Sequence, residues 1–86
     1  MSESPEARLK RLHMRSMRRG IKEMDILLSR YAEAELAGMD AETLDLYDAL
    51  LWENDQDLLV WVTGQQPAPA KYAGLVDRIA RVATPG

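Results

Sequence analysis

The sequence has no cysteine, no phenylalanine and a single histidine, His13. The lack of cysteine removes disulfides, thiolate nucleophiles and cysteine metal sites together. No stretch approaches the roughly 20 apolar residues that a helical membrane span requires, so no membrane partner is expected. The five glycines are scattered singly. A glycine-rich phosphate loop is therefore missing, as is the strand-turn-helix unit in which such loops sit. Ser2, Ser4, Ser16 and Ser29 precede or lie on the first two predicted helices, and none occupies a nucleophile-elbow pattern. There is no histidine pair and no EF-hand spacing. Asp45 with Asp48, or Asp55 with Asp57, could touch a hard cation, yet solvated helix faces and helix starts account for such acids more simply. These absences leave no catalytic residue and no metal site, and the chain is not expected to be an enzyme.

The opening segment, MSESPEARLK, places Glu3 and Glu6 ahead of any apolar run. That pattern is unlike a secretory signal or an organelle transit peptide. Together with the lack of cysteine it leads to the expectation of a bacterial cytoplasmic protein.

What is present is helical punctuation. Ser4-Pro5 is a start signal, a serine cap with proline in the first turn, for a helix from about Pro5 to Arg18. Gly20 marks a junction, since glycine tolerates the left-handed conformation that often closes a helix. A second helix from about Ile21 to Leu36 carries Met24, Leu27, Leu28 and Tyr31 on one stripe, and Gly38 ends it. Asp40 caps a third, with Leu44, Tyr47, Leu50 and Leu51 inward. Asn54 or Asp55 caps a short fourth, with Leu58, Leu59, Trp61 and Val62, closed by Gly64. After a turn at Pro67 and Pro69, a last helix has Tyr72, Leu75, Val76, Ile79 and Val82 on one side. Short amphipathic helices bury their stripes only against one another. The expected fold is all-α, a compact five-helix bundle and a single domain over residues 1–86, ordered from about 5 to 82, with the terminal ATPG frayed. Trp52, Trp61 and the three tyrosines are expected to fill the core in place of phenylalanine.

The net charge of −3 conceals a strong asymmetry. Seven of the eleven basic residues fall between Arg8 and Lys22, whereas the span from Glu23 to Asp57 holds eleven acidic residues and one basic one, Arg30. Such segregation suits either oriented docking or intramolecular pairing. Arg8, Arg11, Arg15, Arg18 and Lys22 form one stripe if the helix continues past Gly20. The stripe is a solvated face, a protein-docking surface or a phosphate contact. Interleaved aromatics are missing and the overall charge is negative, so no nucleic-acid partner is expected.

The segment RRGIKEMD, residues 18–25, combines a glycine corner with a helix-start glutamate. It is either a structural corner or an exposed one offering a guanidinium fork and a carboxylate to a partner. Arg19-Gly20-Ile21-Lys22-Glu23, extended by Asp25 and preceded by Arg15-Ser16, resembles the RGxxE motif of the FAD assembly factors of succinate dehydrogenase, the SdhE type with mitochondrial relatives. The later stretch LYDALLWENDQDLLVWVTG resembles that family's second block, and the resemblance covers roughly residues 8–82. Gln56 departs from it, where many members have proline.

The resemblance implies a five-helix chaperone that binds the flavoprotein subunit of succinate dehydrogenase, or of fumarate reductase, and promotes covalent attachment of FAD to a client histidine. His13 is accordingly not the attachment site. No cofactor is expected to be bound stably, since the factor acts on the FAD of its client. Carried onto this chain, the motif assigns partner binding to Arg19, Gly20 and Glu23, with Asp25, Arg18 and Arg15 beside them. The alternative is a small helical interaction module of antitoxin-like or regulatory type.

Overall fold

A computed structural model describes residues 3–83 of the chain. Helix α1 spans Pro5–Ser16, α2 Lys22–Glu35, α3 Ala41–Leu50, α4 Asp55–Val62 and α5 Ala70–Ala83, with one 3-10 turn, Leu36–Gly38, after α2. The caps fall where side-chain chemistry puts them. The Ser4 hydroxyl accepts from the Ala7 N–H at 3.1 Å, the Asp40 carboxylate from Thr43 at 2.8 Å, and the Asn54 amide oxygen from Gln56 at 2.7 Å. Asn54 is thus the cap of α4, and Asp55 is free for another task. Gly64, at φ +80°, supplies the left-handed residue after α4 that a side chain resists.

The stripes close on one another to form one core of Leu12, Met24, Leu28, Tyr31, Tyr47, Leu50, Leu58 and Ile79, all fully buried. Each such side chain contributes about 1.5–3 kcal/mol relative to exposure. Helix α2 is the central element and packs on α1, α4 and α5. Tyr31 and Tyr47 pack inside with their rings tilted at 45° and centroids 5.6 Å apart, and Trp61 lies 6.2 Å from Tyr72 at the α4–α5 seam. No helix among the described residues is long and apolar enough to cross a membrane.

Several boundaries differ from expectation. Helix α1 stops at Ser16, not Arg18, because Met17 is extended and Arg18 adopts the left-handed conformation at φ 55°. Gly20 therefore does not provide the left-handed turn. Its missing Cβ matters instead for a close contact with Asp55. Trp52 is not a core residue: it lies beyond the end of α3, outside that helix's buried stripe, and is 73% exposed. Val82 is 36% exposed and Ala83 is buried in its stead, so the inner face of α5 runs Tyr72, Leu75, Val76, Ile79, Ala83. Of the ATPG segment expected to fray, Ala83 closes α5 and residues 84–86 lie outside the described residues.

Much of the charge asymmetry is resolved within the molecule. Arg8 pairs with Asp45, and Arg11 donates to both Asp48 oxygens at 3.1 and 2.8 Å and to Glu3 at 2.8 Å. Two arginines three apart on α1 meet two aspartates three apart on α3, so this part of the basic stripe is the inner face of an electrostatic seam.

Candidate functional site

The α1–α2 elbow is built by carbonyl groups and one carboxylate. The last turn of α3 ends in backbone oxygens with no intrahelical partner, the negative end of the helix dipole. The Arg19 guanidinium plugs that end. One terminal nitrogen donates to the Arg15 carbonyl at 3.1 Å and the Leu51 carbonyl at 3.0 Å, and the other to Glu53 O at 3.5 Å. Its Nε donates to Asp55 Oδ1 at 2.8 Å, and Asp55 Oδ2 accepts the Gly20 N–H at 2.8 Å. A Cβ at residue 20 would stand 3.0 Å from Asp55 Oδ2, so a side chain here would press on the carboxylate and displace it by a few tenths of an ångström.

The outer side of the elbow is tied separately. The Arg18 N–H donates to Asp25 Oδ2 at 2.9 Å, and the Ser29 hydroxyl donates to Asp25 Oδ1 at 3.4 Å. This link offsets the cost, about 1–2 kcal/mol, of a left-handed arginine. Beneath the elbow, Ser16 is fully buried, bonded to Leu12 O at 2.7 Å and to the Tyr47 hydroxyl at 2.6 Å. Burial pushes the Tyr47 phenol up to about 12, with the Ser16 contact pulling the other way.

The six residues singled out by sequence are brought together, but not in equivalent roles. Arg18, Gly20 and Glu23 are exposed, with Glu23 in the first turn of α2. Arg19 is turned inward, its side chain only 9% exposed, and Asp25 is half-buried in its own links. The guanidinium fork that the sequence suggested for a partner therefore holds the elbow's shape. Arg15 is half-buried, donating to Leu51 O at 3.4 Å with its guanidinium carbon 3.9 Å from the centre of the Trp52 ring. Sequence reasoning missed Asp55, whose partners lie 35 and 36 residues upstream with no local signal to betray them. The pairs weighed as cation contacts are otherwise engaged: Asp45 and Asp48 with arginines of α1, Asp55 with Arg19.

Residues 10–83 match the family described as flavinator of succinate dehydrogenase. The chain belongs to this family. The matched stretch takes in the elbow and the Asp55 that braces it. Among relatives of this flavinator-family chain, the succinate dehydrogenase assembly factor 2, mitochondrial, of Debaryomyces hansenii is 44% identical over 73 residues, covering 81% of this chain and 51% of the relative. The protein of the same name from Schizosaccharomyces pombe is 41% identical over 70 residues, covering 81% and 50%. That from Aedes aegypti is 42% identical over 64 residues, covering 72% and 40%. The chain thus spans about half or less of the length of these relatives. The expectation of a bacterial cytoplasmic protein is overturned by these matches, because the relatives are named as mitochondrial proteins of fungi and an insect. Its grounds were weak physically: a cysteine-free composition and an acidic opening segment carry no address of their own.

Proposed function

We propose that this flavinator-family protein assists assembly of succinate dehydrogenase by binding its flavoprotein subunit and promoting covalent attachment of FAD there. By the same grip it serves the corresponding subunit of fumarate reductase. The observation that carries this reading is the elbow itself: an exposed Gly20 and Glu23 on a corner whose shape Arg19 and Asp55 hold from within. The family match and the relatives' names support it.

Attachment requires a client histidine nitrogen held against the flavin methyl carbon. A protein that binds the client's competent conformation better than its other conformations raises the population of that state. Alignment of reacting groups lowers barriers by roughly 7–11 kcal/mol at the extreme. The helper needs no catalytic group and no flavin of its own. Glu23 supplies an exposed charge for orientation at the corner that Gly20 and Asp55 shape.

The test is co-expression with the flavoprotein subunit, followed by flavin fluorescence of the denatured subunit on a gel. Wild type raises the signal over client alone. Glu23→Ala, which breaks no hydrogen bond or ion pair among the described residues, abolishes most of the gain while melting nearly as wild type does. No gain with wild type removes the reading.

A further inference from the structure

Trp52 is the most exposed of the large apolar side chains among the described residues, and nothing in the fold requires it to be there. An indole buries some 150–250 Å² when covered, so leaving it in water forgoes a large stabilisation. One contact orients it: the Arg15 guanidinium carbon lies over the ring, 3.9 Å from its centroid. Arg15 is fixed in turn by the Leu51 carbonyl, the same oxygen that accepts from Arg19. The indole is thus linked through Arg15 to the carbonyl oxygen that also accepts from Arg19 of the elbow.

We propose that Trp52, with Arg15 stacked on it, is the apolar anchor by which this protein grips the flavoprotein subunit; the inference rests on the function proposed above. Tryptophan and arginine are enriched among the residues that dominate binding energy at protein interfaces, and stacking that already exists lowers the ordering cost of association. The charge around it defines the receiving surface. Unlike Arg8 and Arg11, Arg15 and Arg18 form no ion pair among the described residues. The complementary patch on the client is an apolar hollow rimmed by carboxylates.

The experiment titrates the purified flavoprotein subunit of succinate dehydrogenase into the full chain and its variants. Trp52→Ala weakens binding roughly 10- to 100-fold, with helicity and melting unchanged. In a Trp61→Phe background Trp52 is the sole tryptophan, and its emission shifts to the blue and becomes shielded from quencher when the subunit is added. If Trp52→Ala binds within about threefold of wild type and the emission does not move, while Glu23→Ala loses binding, the anchor is wrong and the proposed function stands. If wild type does not bind the subunit, both fall. If sizing shows a dimer that Trp52→Ala dissolves, the indole serves a second copy and the proposal is overturned.

Discussion

The two oxygens of the Asp55 carboxylate are divided between adjacent residues, Oδ1 taking Arg19 Nε and Oδ2 taking the Gly20 N–H, each at 2.8 Å. One side chain at the start of α4 thus fixes both the guanidinium inside the elbow and the backbone at its tip. Asp55→Ala leaves a nearly buried guanidinium without its counter-charge, and is expected to cost about 2–3 kcal/mol. Urea unfolding measures it; a loss below about 0.5 kcal/mol would mean that the carbonyl groups alone satisfy Arg19.

Substituting alanine at three glycines separates the reasons for a missing side chain. At Gly20 the new methyl group presses on Asp55 Oδ2, which Arg19 holds in place, so a loss of roughly 1 kcal/mol is expected. At Gly64 the loss is similar and arises from the positive φ, since the space around it is open. Gly74 lies inside α5 with nothing near its absent Cβ, so Gly74→Ala is expected to raise stability by about 0.5–1 kcal/mol. Thermal melting ranks all three, and a destabilised Gly74→Ala would contradict the helix packing described.

Two buried tyrosines, alike in position, differ in their hydroxyls. Tyr47 shares a hydrogen bond with Ser16 at 2.6 Å, whereas the Tyr31 hydroxyl has no partner among the described residues. Tyr31→Phe is expected to be neutral or to stabilise by up to about 1 kcal/mol, and Tyr47→Phe to cost about 1 kcal/mol. Reversal of that order in denaturant titrations would mean that Tyr31 is satisfied after all.

Acid sensitivity is expected to trace to the α1–α3 seam. The hydrogen bonds from Arg11 hold the Asp48 carboxyl below its usual 3.8, with partial burial opposing. A carboxylate depressed in the folded state stabilises fully above its unfolded pKa, and that contribution is lost as pH falls through the lower folded value. Asp48→Asn should be less stable at neutral pH and should change less between about pH 5 and about pH 2 than wild type. Parallel melting curves of the two proteins across that range would refute the assignment.

Features with a local cause were legible in the sequence. The Ser4, Asp40 and Asn54 caps and the spacing of Met24, Leu28 and Tyr31 each follow from chemistry within one or two helical turns. Features with a distant cause were not. Arg19 reads as an exposed corner residue until α3 delivers its carbonyl oxygens, and Gly20 draws attention as a turn former although the left-handed residue is Arg18. Trp52 misleads for the same reason, since an apolar residue just past an apolar stripe is indistinguishable by pattern from one more core position.

The bonds that tie Arg19 and Gly20 to the end of α3 and the start of α4 cross more than thirty residues of chain. A peptide cut from the motif alone would carry its letters without its form. The elbow's form therefore depends on the end of α3 and the start of α4, which lie far along the chain from the residues they hold.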